Sequence, residues 1–170
     1  MILLDANVLI YAHNQDAEYH DAARTWLDER LSTPTRVGLP WESALAFVRL
    51  TSNPRIFPAP LSVRQAWNTV ESWLEADPVW IPTPTDRHQE VLAALIPYVG
   101  KPNHLPDAHL AALALQYGLT VISADSDFAR FPSVRWHNPL HPPQTPRHPG
   151  GPGGLDTTDQ DTPPINDLGW

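Results

Sequence analysis

Four acidic residues stand where strand-like runs end or helical patterns begin, a placement suited to holding a hard cation. Asp5 follows the apolar run Ile2–Leu4, and Asp125 follows Leu119–Ser123 in the same way. Glu42 comes just after the strand candidate Arg36–Leu39 and opens a helical pattern. Asp107 begins the clearest helical pattern, Pro106–Tyr117, which passes through Gly118 into the run before Asp125. That helix is expected to lie antiparallel to its strand, which puts its N-terminus at the strand's carboxyl end. Ligands of open parallel α/β sheets bind beyond those ends. All four acids are therefore expected to converge on one sheet edge. Clustered carboxylates raise one another's pKa values and destabilise a fold. Mg2+ or Mn2+ relieves the repulsion, because both prefer carboxylate and water oxygens. Taken singly, each acid reads as a helix cap or a turn residue; four on one edge favour a site.

The elements that must position these acids alternate between strand and helix signals. Ala17–Leu31 carries a 3.6-residue stripe through Ala22, Ala23, Trp26, Leu27 and Arg30. Trp41–Leu50 is helical up to the turn Ser52-Asn53-Pro54, and Ser62–Ala76 opens with the capping-box pair Ser62 and Gln65. Arg87–Leu95 is a further helix. Val79–Ile81 is a third strand candidate and Val134–Trp136 a final edge strand. Strands separated by helices predict a three-layer α/β fold around a mostly parallel sheet.

Composition sets the outer bounds. The chain has 170 residues, enough for one domain with a real core, and it contains no cysteine. Disulfides, thiolate metal sites and cysteine nucleophiles are excluded, and with no HExxH-type spacing zinc is disfavoured. A reducing cytoplasm is permitted, and the chain is expected there. The start MILLDANVLIYA lacks a basic leader region and is broken by Asp5, so a strand is expected rather than a signal peptide. No run approaches the ~18 apolar residues a membrane span needs. The net charge of −8 runs against nucleic-acid binding only in sum. Asp156, Asp159, Asp161 and Asp167 lie in the C-terminal tail, and the site acids would be offset by cations. Arginines and Lys101 remain to hold phosphates. From Pro142 onward the chain holds seven of its 20 prolines and five of its eight glycines. Residues 1–141 are therefore expected to fold, with 142–170 a disordered tail.

The motifs LLDANVLIYA (residues 3–12), WESALAFVRLTSNPRIF (41–57) and LPDAHLAALALQYGLTVISADSDFARFP (105–132) resemble those of PIN-domain proteins, in particular VapC-type toxins of toxin–antitoxin pairs. VRWHNPL at 134–140 resembles the end of that domain. The resemblance implies a PIN-like α/β/α fold with Asp5, Glu42, Asp107 and Asp125 as the acids and Asp127 as a more variable fifth. Asn7 matches a small polar residue that orients the first carboxylate. The resemblance also implies an endoribonuclease, silenced by a VapB-type antitoxin and forming a homodimer. The mechanism expected of one or two such ions is water activation that leaves 5′-phosphate and 3′-hydroxyl ends.

Other residues are assigned more weakly. Asn103 and His104 precede the Asp107 helix and could reach an RNA backbone or only water. Ser123 and Ser126 flank Asp125 and could bind phosphate or cap a turn. His109 is expected to be structural or on the surface. His13 and Asn14 are expected in a loop after the first strand. Trp26, Trp67, Trp73 and Trp80 are core or groove residues, some of which could receive an antitoxin helix. A haloacid-dehalogenase-like phosphatase is a distant alternative: it needs a second Asp two positions after the first, where this chain has Asn7. A catalytically inactive PIN-fold interaction module is another.

Overall fold

A computed structural model describes residues 1–140. The expectation of a disordered tail over 142–170 lies outside the described residues. The chain runs β1 (Ile2–Leu4), α1 (Ala6–His13), α2 (His20–Leu31), β2 (Val37–Gly38), α3 (Trp41–Thr51), α4 (Val63–Leu74) and β3 (Val79–Trp80). It continues with α5 (His88–Leu95), α6 (Leu105–Tyr117), β4 (Thr120–Ile122) and β5 (Arg135–His137). Short 3-10 turns cover Ile96–Tyr98, Pro102–His104 and Ser126–Arg130.

The five strands are ordered β3-β2-β1-β4-β5, and every pairing is parallel. After β1 the chain builds outward on one side through β2 and β3, then returns to add β4 and β5 on the other. The β1/β4 pair is thus the switch point of the sheet, where the strands' carboxyl ends open a crevice. Side chains alternate across the sheet with a period of two. Leu4 and Ile122 enter the core beneath α1 to α4, with Val8, Phe47, Leu50 and Val70. Leu3 and Val121 enter the core beneath α5 and α6, with Leu95, Leu113, Phe128 and Phe131. Two helical layers therefore cover the two faces of the sheet, which is the predicted three-layer α/β/α architecture.

Local signals account for most boundaries. The capping box at α4 forms as expected: Gln65 N–H donates to Ser62 Oγ at 3.2 Å, and Ser62 N–H donates to Gln65 Oε1 at 2.9 Å. α6 ends at Gly118, whose φ of +64° is strained for any residue with a Cβ. Its burial differs from the one-sided stripe expected, since Ala108 and every residue from Leu110 to Ala114 are buried. The alanines let the helix lie close against the sheet while still being covered elsewhere.

α1 was not legible from periodicity. Ala6, Asn7, Val8, Leu9, Ile10 and Ala12 are all buried, so no polar face marks the helix. This corrects the loop expected at His13 and Asn14. His13 is the last residue of α1, and its ring meets Phe47 edge-on at 5.5 Å. Asn14 caps the helix through its backbone N–H to Ile10. Among the described residues no helix is long and apolar enough to cross a membrane.

Candidate active site

The switch-point crevice is lined by Asp5, Glu42, Asp107, Asp125 and Asp127, with Asn7, Asn103, Arg49 and Lys101, in a cavity of about 520 Å³. Each acid arrives by a local rule. Asp5 ends β1 and is also the N-cap of α1, accepting from Ala6 N–H at 2.6 Å. Asp125 ends the loop after β4 and caps the Ser126–Arg130 turn, accepting from Asp127 N–H at 2.8 Å. Asp107 lies in the first turn of α6 behind Pro106. Glu42 lies in the first turn of α3 behind Pro40. Capping and site-building are therefore the same act for Asp5 and Asp125.

Asn7 and Ser123, both buried, stitch the two strand ends together. Asn7 Nδ2 donates to Asp5 Oδ2 at 2.9 Å, and Ser123 Oγ donates to the same oxygen at 2.7 Å. Asn7 Oδ1 accepts from Ala124 N–H at 3.1 Å, while Ser123 Oγ accepts from Asp125 N–H at 3.0 Å. Asp5 and Asp125 are thus held in fixed relation across the β1/β4 seam. Ser123 sits behind the cavity wall as a brace, with no surface left for phosphate.

The electrostatics divide the acids into two groups. Burial, chiefly, pushes the Asp107 carboxyl up to about 8, and Asp5, Asp125 and Asp127 push in the same direction. Burial likewise pushes Asp5 up to about 6 against its hydrogen bonds from Ser123 and Ala6. Asp125 is raised chiefly by burial, with the Asp127 carboxylate adding to the rise and the Asp127 backbone N–H, Arg130 and His104 opposing it. Glu42 goes the other way. Its contact with His109 holds it below the usual carboxylate range, burial opposing more weakly. His109 Nε2 lies 3.0 Å from Glu42 Oε1 in a short, bent contact, and it acts on the carboxyl first as a hydrogen-bond donor and less as a charge.

Asp127 has a partner of its own. Arg130 pairs with its carboxylate, donates to its backbone carbonyl at 3.0 Å and donates to His104 Nδ1. His104 Nε2 faces the second Asp127 oxygen at 3.2 Å. His104 is largely buried in the cavity wall, where it braces Asp127. Asn103 beside it is exposed on the cavity rim.

Among the described residues, no three His, Asp or Glu side chains are gathered closely enough to ligate one ion as they stand. Asp5 and Asp125 cap backbone amides, Asp127 holds Arg130, and Glu42 holds His109. The donor set nonetheless suits a hard divalent cation. It consists of oxygens, and three of the carboxyls are held above their ordinary range in one cavity, a cost that a cation offsets. Sequence reasoning missed the roles of Arg130, His88 and His109 at these acids. The Asp127/Arg130 spacing of three was a readable signal; the meeting of His88 with His109 was not.

Known proteins give the site a context. The PIN domain family profile matches residues 2–134. Ribonuclease VapC37 of Mycobacterium tuberculosis is 46% identical over 140 residues, covering 82% of this chain and 97% of the relative. VapC ribonuclease Mb2897 of Mycobacterium bovis is 38% identical over 141 residues, covering 82% and 96%. A chain of VapBC2 from Rickettsia felis, solved with a DNA fragment from its promoter, is similar at a TM-score of 0.62 and 16% identity, covering 81% of this chain and 98% of that one. A chain of VapBC-1 from nontypeable Haemophilus influenzae matches at 0.59 and 19%, covering 83% and 100%. At such identities the two solved structures speak for the fold alone.

Proposed function

The chain belongs to the PIN-domain family and is closely related to its VapC ribonucleases, and from that premise we propose that it is a Mg2+- or Mn2+-dependent endoribonuclease, the toxin of a toxin–antitoxin pair. The observation that carries this reading is the Asp107 carboxyl, pushed up to about 8 in a cavity it shares with Asp5 and Asp125. A carboxyl held there without chemistry to perform is a standing cost to the fold.

Asp5, Glu42, Asp107 and Asp125 would hold the ion, with Asp127 at the edge of the set. The chemistry such an ion supplies when bound is water activation and stabilisation of the departing 3′ oxygen, leaving 5′-phosphate and 3′-hydroxyl ends. Asn7 and Ser123 keep the Asp5 carboxylate aimed at the cavity. Lys101 and Arg49 line the same cavity and bring cationic groups to an RNA backbone, with Asn103 as a polar contact at the rim. Residues 1–141 act as the nuclease domain, in the cytoplasm, and a VapB-type antitoxin and a second copy of the chain are its protein partners.

Sequencing RNA ends after induced expression of the wild type and of Asp107→Asn tests the reading. Cleavage products with 5′-phosphates in the wild type only are expected. A 2′,3′-cyclic phosphate product would overturn the mechanism, since the ribose hydroxyl would then be the nucleophile. Calorimetric titration with Mn2+ separates the nuclease from an inactive module, which would take up no ion. Light scattering of the purified chain, alone and with its antitoxin, tests the partners.

A further inference from the structure

His109 is not the end of its own contacts. A polar chain runs behind Glu42 through α6, α5 and the loop before α5, and backbone groups set its direction. Thr85 N–H donates to Gln116 Oε1 at 3.0 Å, and Gln116 Nε2 donates to the Ala112 carbonyl at 3.0 Å. A backbone N–H can only donate and a carbonyl can only accept, so the Gln116 amide has one permitted orientation. Its NH2 group therefore also donates to His88 Nδ1, at 2.6 Å. A neutral His88 then carries its proton on Nε2, which faces His109 Nδ1 at 2.9 Å. That nitrogen must accept, so the His109 proton stands on Nε2, the atom 3.0 Å from Glu42 Oε1. The rings meet at an interplanar angle of 68° and a centroid distance of 4.7 Å, which fixes their mutual orientation.

We propose that His109 is the positioning residue for Glu42, locked in its Nε2–H form by His88 and Gln116, and that it holds Glu42 Oε1 so that the other oxygen is presented to the cation. The proposal rests on the metal-dependent reading of the cavity. Glu42 is half exposed on the first turn of a helix, with several free torsions of its own. Asp5 and Asp125 are stiffened by the amides they cap, and Glu42 has His109 in place of such a cap. Hydrogen-bonded partners of ligating carboxylates commonly set ligand orientation, and their loss costs about 10- to 100-fold in metal affinity.

Two measurements on the full chain test this. Ring 15N shifts of His88 and His109 in the metal-free protein are expected to show a protonated Nε2 and an unprotonated Nδ1 in both, with the pattern lost in Gln116→Leu. Calorimetry is expected to show Mn2+ binding weakened about 10-fold in His109→Ala and largely restored in His109→Gln, whose amide can still donate to Glu42. A purely structural His109 would lower the melting temperature of His109→Ala while leaving the affinity of the folded protein unchanged. That outcome, or a His109 protonated on Nδ1, overturns the proposal. A wild type that takes up no Mn2+ instead sinks the nuclease reading, and the ring shifts then decide the chain of contacts on their own.

Discussion

The two walls of the crevice solve the problem of holding a carboxylate in opposite ways. On the wall made by the ends of β1 and β4 and the first turn of α6, Asp5, Asp125 and Asp107 are crowded and partly desolvated, and burial with repulsion from neighbouring acids drives their carboxyls up. On the α3 wall, Glu42 is more exposed and a histidine draws its carboxyl down. The first wall is rigid and electrostatically strained; the second is relaxed and depends on a partner for its aim. A cation entering the crevice would be drawn by the first wall and oriented against the second. The contrast teaches that acids gathered in one crevice need not be one electrostatic unit.

The largest expected effect comes from removing the strained wall's centre. Asp107→Asn should abolish RNA cleavage, a fall of about 1,000-fold or more, while raising the metal-free melting temperature by a few degrees. A lower melting temperature would break the claim that this carboxyl is a cost to the fold. Asp5→Asn should be equally inactive without the stabilisation. Its Oδ2 accepts from both Asn7 and Ser123, and an amide nitrogen there faces the Asn7 NH2 group, a loss of about 1 kcal/mol.

Next is the pH dependence of the metal-free protein. Between its unfolded value of 3.8 and about 8, Asp107 is ionised in the unfolded chain and protonated in the folded one. Its stabilising contribution is therefore complete below pH ~4 and lost as pH rises through about 8. Asp5 adds the same trend up to about 6. Glu42 contributes the opposite sign at acidic pH, since its folded value is lowered. Urea midpoints measured from pH 5 to 9 should fall for the wild type and flatten in Asp107→Asn. By the same logic Mn2+ affinity should rise with pH across 6–8, because a proton must leave Asp107 for an ion to bind; a flat affinity would mean Asp107 takes no part.

The smallest effect is expected at the edge of the strained wall. Arg130 is the cation that opposes the rise in Asp107. Arg130→Ala should shift the pH dependence of Mn2+ binding towards alkaline values and reduce cleavage by a few-fold. An unshifted profile would detach Arg130 from the electrostatics of this wall and leave it a brace for Asp127 and His104.

Much of this was legible in the chain itself. The strand-then-acid pattern at Leu4-Asp5 and Ile122–Asp125, the capping box at Ser62 and Gln65, and the stop at Gly118 are local rules that the structure follows. α1 was not legible, because a helix buried on all sides carries no amphipathic period. The assignment of His109 as structural missed its partner, because that contact joins residues 67 positions apart on two helices. His104 drew attention for its place before the Asp107 helix, yet its ring is spent on Asp127 and Arg130.

The sequence by itself determined the element order, the parallel α/β class and the identity of the acids at the strand and helix ends, since these follow from periodicity, caps and connectivity within short stretches. Only the tertiary structure decided which acids are strained and which are partnered. That division depends on burial and on contacts between α3, α5 and α6, and no spacing along the chain encodes how two helices bring their side chains together.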